Sequence, residues 1–414
     1  MFRRLSSGLP KDPKFPSDLK GLGYFVNSKD EVRSIDNPKA YFNYFLSKNE
    51  RYNEVQREAM NTALLEIVHE RLEKLGLGKI RIPLGAQDTE PHTSIFVSND
   101  LSAQKRVIIL FYEHTQDLGT LAHRVVGGRG GIDEGSAVNL VKYIQAQPTG
   151  PGNAGPPGII LANMGQLTWW RRGKKALTLK SWSAVPRKSA VDGPFRYDEE
   201  KNTIPGNRTT LEHCSYIFEH VVQERCNPVA KLDVIGVSDG AVVFSSFLND
   251  HANWIKWSGR ISSFAALAMV FDARDITNFQ FLTWFAKRGR VYIVSDKPCG
   301  MFLAGPEGHR MVAGYGAPVF SLGVPYYTEL LLPKGYRAVI DWIQEVADTP
   351  GYENPVFQGM DDDHEDISES YTAGDGGVDL ENVDDVEEVG ESYAAGDGGI
   401  DLENVDDVEE IAKA

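Results

Sequence analysis

The sequence predicts an α/β fold built on one doubly wound, mostly parallel sheet, preceded by a hairpin and a long helix. Three observations predict it. From Arg106 onward, short apolar runs alternate with helix-length amphipathic stretches, the pattern of parallel strands joined by helical crossovers. Residues 232–236 form a short apolar run that enters Gly236-Val237-Ser238-Asp239-Gly240 and leaves into a helix-compatible stretch, 241–249. A Gly-x-Ser-x-Gly between strand and helix is the nucleophile elbow of α/β-hydrolases, so the sheet is expected to be α/β-hydrolase-like. Finally, a 414-residue chain that is 42% hydrophobic and 24% charged has ample material for a large core.

The elements follow in order. Residues 2–19 read as extended and proline-punctuated. Tyr24-Phe25-Val26 and residues 32–35, separated by the polar Asn27-Ser28-Lys29-Asp30, read as a β-hairpin over the aromatic run Tyr41-Phe42-Asn43-Tyr44-Phe45. Residues 51–75 carry Val55, Ala59, Ala63, Ile67, Val68 and Leu72 at helical spacing, with Gly76 and Gly78 as the stop. Strands are expected at 79–83 and 93–98, and a fully buried one at 106–111. The glycine-rich 127–131 lacks both a preceding strand and a Gly-Lys-Ser/Thr, so it reads as a turn and not a phosphate loop. A helix at 136–145, a loop at 148–157, a strand at 158–162 and a helix at 209–224, capped by Thr209 or Thr210, lead to the elbow strand. Beyond the elbow, strands are expected at 264–271, 290–295 and 318–322, and helices at 279–287 and 337–346. This divides the chain into an extended segment, 1–19, a hydrolase-like domain, 20–348, and a tail, 349–414.

Charge separates the tail from the body. From Asp361 to Ala414 there are 21 of the 58 acidic residues and one of the 43 basic ones, so this segment carries −20 and the rest +5. Residues 369–390 recur nearly unchanged from Glu391, a period of 22 residues. Two polar copies are too few to bury a solenoid core, and their acidity predicts disorder. Such a tail suits basic partners such as histones. Three cysteines, Cys214, Cys226 and Cys299, without a Cys-x-x-Cys, indicate neither a disulfide framework nor a zinc site. No metal or cofactor is expected. No apolar run reaches the roughly 18 residues of a membrane helix, and the basic start lacks an apolar signal core, so no membrane association or cleaved leader is expected.

A working elbow needs a base, an orienting acid and an oxyanion hole. Asp296, directly after Tyr292-Ile293-Val294-Ser295, stands where the acid belongs. The loop after the last strand, Gly323-Val324-Pro325-Tyr326-Tyr327-Thr328-Glu329, holds no histidine, and His309 in the preceding loop is the nearest candidate base for Ser238. After Leu110-Phe111 stands Tyr112-Glu113-His114 where a lipase-like chain places His-Gly-Gly. Gly236 and Gly240 are expected to be structural, and the serine idle. A second candidate site is Trp169-Trp170-Arg171-Arg172-Gly173-Lys174-Lys175, aromatics among cations that suit RNA, or equally a loop whose tryptophans pack and whose charges are solvated.

Several long strings resemble one family. They include Leu22-Gly23-Tyr24-Phe25, Ile35-Asp36-Asn37-Pro38, residues 49–61, Arg124-Val125-Val126-Gly127-Gly128-Arg129-Gly130-Gly131, residues 166–173 and Asp233-Val234-Ile235-Gly236-Val237. Over residues 2–347 the chain resembles fungal proteins of the Argonaute-binding-protein-two (Arb-two) domain family, a domain also fused to class II histone deacetylases. The resemblance implies an α/β-hydrolase-like fold and a place in complexes that hold Argonaute and small interfering RNA, in RNA silencing and heterochromatin assembly, or in a histone deacetylase complex. It implies nuclear and cytoplasmic residence and carries over no catalytic residue. The alternative is a serine hydrolase using Ser238.

Overall fold

The computed structural model describes residues 8–147, 155–193, 195–269 and 271–356. The acidic repeats lie outside the described residues.

A nine-stranded sheet organises the body. Its strands are β3 (Leu77–Ile82), β4 (Thr93–Ser98), β5 (Arg106–Phe111), β6 (Gly158–Leu161), β9 (Lys231–Val237), β10 (Ile261–Leu267), β11 (Gly289–Ile293), β12 (Phe302–Ala304) and β13 (Val319–Ser321). They lie in the order β12-β13-β11-β10-β9-β5-β6-β4-β3. Six neighbours, from β6 through β5, β9, β10 and β11 to β13, run parallel, while β3, β4 and β12 pair antiparallel at the edges. After β5 the chain adds β6 on one side, then returns to add β9 on the other. The crevice of this doubly wound sheet therefore opens at the carboxyl ends of β5 and β9.

Side-chain alternation fills both faces. Ile108, Leu110, Ile235 and Val237 pack on one side under α1 (Glu50–Lys74), α3 (Ala137–Gln145) and α10 (Leu331–Asp348). Val107, Ile109, Phe111 and Val234 pack on the other, with Phe218, Phe244, Phe247 and Phe285. Those aromatics come from the helical stretch around 210–225, from α7 (Asp239–Asn249) and from α9 (Phe279–Arg288); α8 (His251–Trp257) adds Trp254 and Trp257. The expected helix at 209–224 is α5 (Thr210–Tyr216), a π-helical stretch (Ile217–Val222) and α6 (Gln223–Arg225), with Thr209 as the cap.

The body is pinned at both ends. Arg106 donates to buried Asp233 (2.5 Å), to Gln344 (2.6 Å) and to the Ile343 carbonyl (2.9 Å), fastening α10 to the sheet. Arg51 holds Asp12 in a buried pair (2.8 Å), tying the segment before residue 20 to α1. Past the expected boundary at 348, Tyr352 accepts from Trp342 Nε1 (3.0 Å) and Asn354 donates to the Gly289 carbonyl (2.7 Å).

Several boundaries differ from the sequence reading. The strand expected at 264–271 is β10, three residues earlier, because Ala268 turns out of the ladder at φ 50 and Ser263 is buried against Asp233. The helix expected at 337–346 begins six residues sooner: Pro333 sits in its first turn, where a missing N–H costs nothing. The N-terminal hairpin is β1 (Tyr24–Val26) with β2 (Val32–Ser34), as expected within a residue. A short helix, α2 (His123–Val126), was not expected. The stretch 169–175, read as a loop, is a second hairpin, β7 (Thr168–Trp170) with β8 (Lys175–Leu177), followed by α4 (Leu179–Ala184).

Candidate functional site

The elbow is built as the sequence pattern requires. Ser238 sits between β9 and α7 at φ 50 and ψ −117, a conformation L-residues rarely adopt. Its N–H donates to the Leu267 carbonyl (2.8 Å), and its own carbonyl accepts from Ala241 (3.0 Å), which locks the turn. The two glycines are obligatory. A Cβ at Gly236 would lie 2.6 Å from Ala241 Cα, and one at Gly240 would lie 2.1 Å from the Phe111 carbonyl oxygen. Ser238 is therefore presented, half-buried, at the switch point of the sheet.

The partners that would activate it are not assembled. Asp296, three residues beyond β11, is exposed and has no hydrogen bond or ion pair among the described residues. His309 is not brought beside Ser238. Its loop leaves β12 and enters β13 at the amino edge of the parallel strands, because β12 runs antiparallel. Within that loop His309 Nε2 contacts the Leu303 carbonyl (3.1 Å), and Nδ1 accepts from the Met311 N–H (3.1 Å). Both ring nitrogens are thus spent on backbone. After β13, Val324 is buried and Tyr326 exposed. The Ser238 hydroxyl has no hydrogen-bond partner among the described residues.

A pair the sequence reading missed stands at the mouth instead. His114, three residues beyond β5, bonds through Nδ1 to Asp239 Oδ2. Side chains 125 residues apart in the chain meet here because β5 and β9 are adjacent. The bond raises the His114 pKa, against the cost of partial burial. The same bond foremost, with lesser help from the backbone N–H groups of His114 and Asp239, holds the Asp239 carboxyl below its usual range. Those two N–H groups belong to the residue after the serine and to the loop after the third core strand, the positions that form an oxyanion hole in this fold. Here Asp239 itself brings a carboxylate, bonded to His114 Nδ1, to this mouth. Beside it, burial raises the Glu113 carboxyl, and Glu329, ion-paired to Arg124 (3.2 Å), adds to that rise. A site already holding this much negative charge is poorly suited to stabilise a developing oxyanion.

On the second hairpin, Trp169 is buried and Trp170 half-buried, while Arg171, Arg172, Lys174 and Lys175 are exposed. Among the described residues no cluster of three His, Cys, Asp or Glu side chains is arranged to hold a metal ion. No helix among them is long and apolar enough to cross a membrane.

The Arb2 domain family model matches residues 15–299. Curated relatives are the cotranscriptional regulator ARB2A of Homo sapiens, 28% identical over 139 residues, and that of Mus musculus, 28% identical over 131 residues. Each match covers about a third of this chain, which spans about a third of the relatives' length (33% and 31%). Among solved structures, a putative acetyl xylan esterase from Bacteroides fragilis covers 74% of this chain and 90% of its own at 9% identity and a TM-score of 0.32. Esterase Est22 covers 70% and 90% at 10% identity and a TM-score of 0.31.

Proposed function

The chain belongs to the Arb2 domain family, and from that premise we propose that it is a non-catalytic regulator of gene expression, a hydrolase-like scaffold whose elbow serine is idle. One observation carries the reading: Asp239, the residue after the serine, holds a carboxylate bonded to His114 at the mouth where an active member of this fold stabilises a developing oxyanion. The lack of a histidine in the loop after β13, residues 323–329, supports it. The relatives' names as cotranscriptional regulators supply the setting, nuclear complexes. The partner is a complex containing an Argonaute or a histone deacetylase, as in RNA silencing and heterochromatin assembly. The acidic segment from Asp361 onward adds a salt-sensitive attraction for basic partners such as histones.

Transcript profiling tests this reading. Deleting the chain shifts transcript levels, and re-expressing either the wild type or Ser238→Ala restores them equally. If Ser238→Ala behaves like the deletion, the serine is working and the reading fails. A second reading, a serine hydrolase of ester or amide substrates, is favoured by the strained elbow backbone itself, which costs free energy to maintain.

A further inference from the structure

We propose that the β7–β8 hairpin is a binding site for single-stranded nucleic acid, with four unpaired cations contacting phosphates and neighbouring aromatics contacting bases. The inference is independent of whether Ser238 is active.

The hairpin is rigid at its base. Trp169 is 2% exposed, its N–H donates to the Asn202 carbonyl (2.8 Å), and Asn202 Nδ2 returns a bond to the Trp169 carbonyl (2.9 Å). At its tip the chain turns through Arg171, Arg172, Gly173 and Lys174. Gly173 is required there, since a Cβ would lie 1.9 Å from the Trp170 ring. Lys174 takes the left-handed position, φ 49, where glycine or asparagine is the unstrained choice.

None of Arg171, Arg172, Lys174 and Lys175 forms an ion pair among the described residues, while the surface cations Lys201 and Arg208 are paired with Asp198 and Glu212. Four cations within five residues, with Lys175 alone feeling the nearby Glu58 carboxyl, repel one another and attract a polyanion. The patch also carries π-faces. Lys175 Nζ lies 5.8 Å from the Trp170 ring centroid, and the Arg172 guanidinium stands 5.0 Å over Phe195. The Phe195 carbonyl accepts from Trp182 Nε1 (3.1 Å), and Trp182 meets Tyr197 edge-on at 6.4 Å. Tyr197 is 51% exposed. Cations for phosphates beside an open aromatic face are what an unpaired strand offers a use for: a duplex hides its base faces, and an acidic peptide or an anionic membrane supplies charge without bases to stack.

The experiment is fluorescence anisotropy with the full chain and a labelled 20-nucleotide single-stranded RNA, the same sequence as single-stranded DNA, and the RNA duplex, each titrated across salt. Both single strands are expected to bind more tightly than the duplex; a preference between them assigns the sugar. Replacing the four cations with glutamine should weaken binding at least tenfold and reduce the log–log salt slope by about 0.7 per lost contact. Tyr197→Ala should weaken binding with the slope unchanged. Unaltered melting temperatures confirm that the variants fold. No binding by the intact chain, an unchanged affinity in the glutamine variant, or equal competition by poly-glutamate or phosphatidylserine vesicles would overturn the proposal.

Discussion

The imidazole of His114 and the carboxylate of Asp239 are hydrogen-bonded across the mouth of the sheet, joining the loop after β5 to the first turn of α7. The pair makes opposite demands on pH. The His114 pKa is raised, so its contribution to stability is complete below the ordinary histidine range and is lost as pH rises through the raised value. The Asp239 pKa is lowered, so its contribution holds above the ordinary carboxylate range and fades only in acid. Histidine NMR titration should find His114 above about 6.5, and Asp239→Asn should bring it down. A His114 midpoint unmoved by Asp239→Asn contradicts the pairing.

The elbow is predicted to tolerate change at the serine and not at the glycines. Gly240→Val should cost about 3 kcal/mol or more in urea denaturation, because its Cβ would strike the Phe111 carbonyl. Ser238→Ala should be near neutral, and Ser238→Gly should stabilise by about 1 kcal/mol through relief of the positive φ. A harmless Gly240→Val would show the turn to be looser than described.

Arg106→Met should be costly. It strands Asp233, which has no exposed surface, with only Ser263 Oγ (2.6 Å) as a side-chain partner. A loss of about 3–5 kcal/mol is expected. The double variant Arg106→Met, Asp233→Leu should recover much of it, and a double variant no better than the single would contradict an electrostatic origin.

Glu58 on α1 gives a pH signature opposite in sense to that of Asp239. Burial, and secondarily Asp117, push its pKa up to about 7. Between the ordinary carboxylate range and that value the folded state keeps a proton that the unfolded chain has released, so stability falls as pH rises through this window. Glu58→Gln should be near neutral at pH 5 and stabilising at pH 8, by on the order of 2 kcal/mol. Equal effects at both values would remove Glu58 from the account.

What the sequence revealed depended on how local the signal was. β5 and β9 were legible because each is an uninterrupted buried run, and the elbow because Gly236 answers to Ala241 within one turn and the Gly-x-Ser-x-Gly string is contiguous. The start of α10 was not legible: Pro333 and Gly335 are poor helix formers, yet Gly335 fits beneath Leu322, where a Cβ would lie 2.6 Å from Cδ1. β10 was shifted because Ser262 and Ser263 look like loop residues until Asp233 supplies Ser263 with a partner. That the loop after β13, residues 323–329, holds no histidine was visible in the sequence. The positive replacement, His114 on Asp239, was not, since only strand order brings residues 114 and 239 together.

The idle serine is the central claim, and labelling with a fluorophosphonate addresses it directly. Purified full-length chain is exposed to the probe, digested, and the peptide carrying Ser238 quantified by mass spectrometry. An assembled triad supplies several orders of magnitude of rate, so even a partial one should label. The account predicts no labelling at Ser238 above that of the denatured protein. Rapid, stoichiometric labelling at Ser238, abolished by Ser238→Ala and by His114→Ala or His309→Ala, would contradict it and make this chain an enzyme.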